Sequence, residues 1–238
     1  PGFRLTERIL RQPGLGPPLH GEVALLQGHS FLPGYPRHSA LLESGVHLLD
    51  TLLALARGAG MGRVTTVSAS PLVGGPDSLP GPVDFGWAFL ARSASGAVLV
   101  GHFSRAAMGW RNGLRWGLYG ERAALAVELD ATRTEARLAR RREAGQAGGA
   151  PPFGEWRPLT LPADLVADDA RFPQYHLDRL VGAIRGEEPP GGASDAPGDA
   201  PIPDFGAALE THRLADALSA SAAGGGWAPV ATPTPLTG

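Results

Sequence analysis

The stretch at residues 41–50, LLESGVHLLD, sets a glutamate, a histidine and an aspartate into a leucine-rich run. Glu43 and His47 are four residues apart, and Asp50 lies three beyond. On a helix, positions three and four apart stack one above the other. Apolar residues at 41, 42, 46, 48, 49, 52 and 53 occupy the remaining arc. The spacing predicts a helix over 40–57 that buries its leucines and keeps one polar edge, turned either to solvent or to a substrate. Ser39 is placed to cap its start. Arg57 and Gly58 put a cation and a glycine where a helix C-terminus favours them.

Before this helix, residues 3–12 (FRLTERILRQ) carry apolar side chains at 3, 5, 9 and 10, the stripe of a short amphipathic helix. PGLGPP ends it, and HGEVALLQGHSFL (20–32) reads as a strand. PGYPRHS then forms a loop. After residue 58 the pattern turns to strands. GRVTTVSAS (62–70) is β-branched, VDFGWAFLARS (83–93) alternates in size, and GAVLVGHFS (96–104) follows a short turn as its hairpin partner. LRWGLYGER and AALAVELD form a second pair about Gly120. TRTEARLARRRE (132–143) reads as an exposed edge strand, with a basic helix as the alternative, and 144–154 as a loop. A helical stripe returns over 174–186. A Gly/Pro/Asp-rich linker follows, and then a long helix over 204–225 headed by Asp204.

The order is helix, strand, helix, a run of strands, then two helices. Strands joined by short turns make an antiparallel sheet, and the helices from the two chain ends cover one of its faces. The expected class is therefore α+β, with a large, mostly antiparallel, open-faced sheet.

With 43% hydrophobic and 18% charged residues, the 238-residue chain has a globular rather than a disordered composition. Its net charge of −2 offers no electrostatic basis for binding nucleic acid or an anionic membrane. No apolar run approaches the roughly 20 residues that span a bilayer, and no secretory leader opens the sequence. The absence of cysteine excludes disulfides, thiolate metal sites and cysteine nucleophiles, and is compatible with a cytoplasmic protein. All 21 basic residues are arginine. Chemistry that needs a lysine ammonium must draw it from outside these residues.

Several side chains outside the opening stretch are candidates for chemistry. Arg37 and His38 precede the helix and suit a substrate hydroxyl or carboxylate, or an ordinary solvated loop. His29, on the first strand, points into the same cleft or is a satisfied strand histidine. Trp110, Arg111, Arg115 and Trp116 form a ligand lip or a packed cation–π group, and packing is favoured. His176 and His212 read as surface residues on helices. Glu43, His47 and Asp50 admit three readings: a surface ion pair, a catalytic edge, or a metal site lacking a second ligand cluster. No metal site is expected. No G-x-G-x-x-G loop opens a βαβ unit, so no cofactor-binding residue is expected in this chain.

Four segments together resemble one family. PGLGPPLHGEV (13–23), LLESGVHLLDTLLALARG (41–58), HLDRLVGAIRGEEP (176–189) and PDFGAALETHRLADALSASAAGGGWAPV (203–230) run in the order found in the Gfo/Idh/MocA oxidoreductases, relatives of glucose–fructose oxidoreductase and inositol dehydrogenase. The resemblance is to the C-terminal domain. It implies that residues 1–12 end a crossover helix from a missing N-terminal Rossmann domain, and that 13–238 form a C-terminal α+β substrate and oligomerisation domain. The missing domain would bind NAD or NADP and contribute a catalytic lysine.

The family keeps an aspartate and a histidine four apart on this helix, facing the nicotinamide. Here the acid is Glu43, one methylene longer, and the histidine is His47. The resemblance thus implies His47 as proton acceptor and Glu43 as its orienter, with Arg37, Asp50 and His29 towards the substrate. Oxidising a secondary alcohol removes a hydride from carbon and a proton from oxygen. An imidazole, with an ordinary pKa of about 6.5, suits the proton. The implied partners are a sugar or polyol substrate and a second copy of the chain bound through the sheet face. The alternative is a non-catalytic dimerisation or ligand-binding module without a cofactor domain.

Overall fold

The computed structural model of the chain describes residues 2–10, 14–28, 39–73, 84–130, 133–141, 154–163 and 205–232. His29, Arg37, His38, His176, Asp204 and the helix expected at 174–186 lie outside them. Nine strands make one sheet: β1 (Pro18–Leu26), β2 (Val64–Val73), β3 (Asp84–Ser93), β4 (Val98–Ser104), β5 (Gly113–Gly120), β6 (Ala123–Leu129), β7 (Thr134–Arg140), β8 (Arg157–Pro158) and β9 (Ala228–Pro229). The helices are α1 (Gly2–Leu10), α2 (Val46–Gly58) and α3 (Phe205–Gly224), and a π-helical turn, Leu41–Gly45, leads into α2. The class is α+β, with an open and mostly antiparallel sheet.

The spatial order is β8-β7-β6-β5-β1-β4-β3-β2-β9. β1 sits at the centre, parallel to β4 and antiparallel to β5. Two meanders, β2–β4 and β5–β8, are thereby joined through a strand that precedes both. TRTEARLARRRE does form a strand, β7, but it is not the outermost one, because β8 pairs along Arg137 and Leu138. β8 is only two residues long, and a very short edge strand is one way a sheet avoids pairing with another chain.

Strand alternation divides the sheet into two unlike faces. One carries Val23, Leu25, Trp87, Phe89, Leu99, Phe103, Trp116, Leu118, Leu125 and Val127, all buried with the helices in one apolar core. α2 packs on β1 and β4, and α3 packs on β2 and against α2. α1 lies over β6 and β7. There Trp116 Nε1–H donates to Thr6 Oγ1 at 3.0 Å, so the indole is buried with its polar atom satisfied. Trp116 is thus a core residue, whereas Arg115, next to it in the strand, lies on the opposite face.

The other face is uncovered among the described residues. Rows running across β3, β4, β1, β5, β6 and β7 read Leu90–Val100–Glu22–Gly117–Ala126–Arg137 and Ala88–His102–Ala24–Arg115–Glu128–Glu135. Leu90 and Val98 stay exposed on it. Arg92 stacks on the Trp227 ring, 4.6 Å from its centroid. Next to Glu22, the His20 ring stacks on Tyr119 with centroids 4.3 Å apart. Tyr119 Oη–H donates to Glu22 Oε1 at 2.8 Å. Gly117 makes room for this pair, since a Cβ there would stand 2.8 Å from the Tyr119 ring and 2.9 Å from Glu22 Oε1.

Partial burial, then the bond to Glu22 and its negative charge, push the Tyr119 phenol up to about 12. A pKa raised in the folded state contributes stability that is intact below the unfolded value near 10 and is lost as pH climbs from there through about 12. Absorbance titration at 295 nm is therefore expected to show one late tyrosine ionisation near pH 12 that Tyr119→Phe removes. An unchanged titration in the variant contradicts the assignment.

Candidate active-site edge

The helix of the opening stretch forms, with a different start from the expected one. Residues 41–45 make a π-turn before α2 begins at Val46. Ser39 does not cap the helix: its hydroxyl donates to Asp84 Oδ2 at 3.1 Å, and its carbonyl accepts the Glu43 amide. Asp84 draws the turn onto β3. Besides Ser39, its Oδ2 accepts the Leu41 N–H at 3.3 Å and the Trp87 Nε1–H at 2.7 Å. The helix then lies close on β4. Gly45 is packed so tightly that a Cβ would stand 2.6 Å from Phe103 Cζ.

Leu41, Leu48, Leu49, Leu52 and Leu53 are buried, as the stripe predicts. Leu42 is not; at 60% exposure it joins the polar edge instead of the core. The i→i+5 winding of the π-turn, with more residues per turn, carries it out of the α-helical phase. His47 and Asp50 are exposed on that same helix, and Glu43 is half-buried. The His47 carbonyl accepts Thr51 Oγ1–H at 2.8 Å.

Glu43 has a partner that the sequence did not suggest. Arg105, just after β4, is buried and donates through Nη1 to Glu43 Oε2, and through Nη2 to the Asp84 carbonyl at 3.2 Å. The guanidinium fork therefore meets both the π-turn and β3. Nothing local marks Arg105 in the sequence. It is one of 21 arginines, 62 residues from Glu43, in the unremarkable run FSRAA. The same holds for Asp84. Arg111 and Arg115, which the sequence singles out, are elsewhere: Arg111 is exposed just ahead of β5, and Arg115 is on the open face. His212 is exposed on α3.

Two small hollows lie outside this edge among the described residues. One of about 230 Å³ is lined by Leu10, Leu15, Tyr119 and Arg122 among others, and one of about 120 Å³ lies on the open face between Glu22, Arg115, Glu135 and Arg137. Beside the second, His102 has its pKa lowered, mainly by burial and secondly by the charge of Arg115, with Glu22 acting the other way. Among the described residues no three His, Asp or Glu side chains gather as a metal site. No described helix is long and apolar enough to cross a membrane.

No protein-family model and no curated protein matches the sequence. Solved structures do match the fold. An oxidoreductase domain protein from Kribbella flavida superposes with a TM-score of 0.70 at 20% identity, covering 97% of this chain and 64% of its own. Levoglucosan dehydrogenase in complex with NADH and levoglucosan gives 0.68 at 19% identity, over 98% of this chain and 64% of that one. A super-repressor mutant of Gal80p from Saccharomyces cerevisiae gives 0.62 at 17% identity, over 97% and 62%. The chain thus spans less than two thirds of the length of the structures it matches. Over that span, its fold is the one shared by NAD-binding oxidoreductases of the Gfo/Idh/MocA type.

Proposed function

We propose that the chain is the substrate-side and oligomerising part of a cytoplasmic NAD(P)-dependent oxidoreductase acting on a sugar, polyol or related hydroxy compound. Residues 1–12 end the crossover from an N-terminal Rossmann domain, and 13–238 form the C-terminal domain. The observation that carries this reading is the exposed His47, set one helical step after a pinned glutamate on a fold shared with an NADH complex of a sugar dehydrogenase.

His47 accepts the hydroxyl proton of the substrate as hydride leaves the same carbon. Glu43 sets the electrostatics of that edge. Arg37, Asp50 and His29 contact the substrate hydroxyls. Bound nicotinamide supplies the two-electron acceptor. The described residues fit a supporting role towards it rather than a cradle: the sequence has no G-x-G-x-x-G loop and no lysine, so the dinucleotide is held by the other domain. The exposed Leu42 beside the edge suits contact with that domain. A second copy covers the open face, where Leu90 and Val98 lie among charges of both signs.

The full-length protein is expected to reduce NAD or NADP with at least one member of a sugar and polyol panel, and to run as a dimer or larger in light scattering. The second reading, a non-catalytic binding or dimerisation module, draws support from the lysine-free sequence and from the Gal80p repressor among the structural neighbours. A natural start codon immediately before Pro1, with no dinucleotide binding by the product, favours that reading and ends the first.

A further inference from the structure

The Arg105 side chain is 3% exposed. Taking such a group out of water is costly unless it is paired and hydrogen-bonded. Here it is paired with Glu43, bonded to the Asp84 carbonyl, and anchored by its own amide, which donates to the Phe85 carbonyl at 2.7 Å. As a device for stability alone this is inefficient, since an apolar pair of similar volume serves as well or better. What the planar fork adds is direction. It holds the Glu43 carboxylate where the π-turn meets β3 and β4, and Asp84 secures the same turn through Ser39 and Leu41. His47 leaves the helix one step later.

We propose that Arg105 is a positioning residue: by holding Glu43 it fixes the π-turn, and so fixes the edge from which His47 projects. The mechanical part stands on the contacts above, and its catalytic consequence rests on the proton-acceptor reading of His47. A carboxylate held in this way stays in place through the proton transfer, so the edge need not reorganise during the reaction.

Residue-resolved hydrogen exchange and steady-state kinetics on the full-length protein test this with R105K, R105M and the double variant E43Q/R105M. In R105M, amides 43–47 are expected to exchange about tenfold faster or more, with amides 52–57 within threefold of the parent. R105K is expected to fall between. In turnover with NAD and the sugar and polyol panel, R105M is expected to lose about thirtyfold in kcat with KM changed less than threefold. E43Q/R105M, which removes both charges, is expected to recover the parent melting temperature but not its kcat. Unchanged exchange at 43–47 in R105M overturns the proposal. So does a uniform rise through 52–57, or a double variant that recovers kcat along with melting; each makes Arg105 a packing residue. If His47→Ala keeps full turnover while the exchange result holds, the reading of His47 fails and the pinning of the turn survives.

Discussion

His47→Ala in the full-length protein is expected to lower kcat by about 10²–10⁴-fold, the range for loss of a positioned proton acceptor, and to leave the melting temperature where it was. The second half of this expectation gives the first its meaning. The imidazole is exposed, so truncation opens no cavity. The Thr51 hydroxyl bonds the His47 carbonyl, which alanine retains. A surface change of this kind alters stability by about 0.5 kcal/mol or less, so a large loss of turnover cannot come from unfolding. His47→Gln, which keeps a polar group of similar size but no basic nitrogen, is expected to be equally slow. Turnover within threefold of the parent in both variants removes His47 from the chemistry.

The second large effect lies two residues earlier and acts on stability. Inside a helix, glycine to alanine ordinarily stabilises by about 1 kcal/mol. Gly45→Ala is expected to do the reverse. The new Cβ would stand 2.6 Å and 2.9 Å from two Phe103 ring carbons and 3.2 Å from Leu41 Cδ1. Phe103 is fully buried in the core and has nowhere to retreat. Overpacking of this kind costs about 1–3 kcal/mol, or roughly 2–12 °C in a chain of this size. Adding Phe103→Leu shortens the side chain in the way and is expected to recover part of the loss, a non-additivity that a double-mutant cycle by thermal or urea melting detects. Additive losses in the cycle place the strain elsewhere.

What was legible in the sequence follows the range of the forces involved. The strands 83–93, 96–104 and 123–130 show their alternation directly, and β3, β4 and β6 fall within two residues of the expected bounds. The leucine stripe of α2 is equally local. The place of β1 is not, because a strand's neighbours in a sheet are decided by pairing across more than 70 residues, such as His20 with Val98. The π-turn was hidden for a related reason. It forms where Asp84 and Phe103 pull the chain onto the sheet, and LLES by itself gives no sign of either. Ser39 looked like a helix cap because serine before a helix usually is one. A carboxylate 45 residues away took its hydroxyl instead. The partnership of Glu43 with Arg105 is the same case at greater separation. Resemblance named the helix edge and its two side chains, and only the folded chain shows what holds the acid.

The central position of β1 also bears on how the molecule is made. Residues 18–26 are synthesised before both their sheet neighbours, which lie between 98 and 120. Until then the two hairpin stacks have no common strand, and Val23 and Leu25 have no completed surface to rest on. Closure of so long a loop is an entropic barrier. The local hairpins of the two flanks are therefore expected to form ahead of the central strand that joins them.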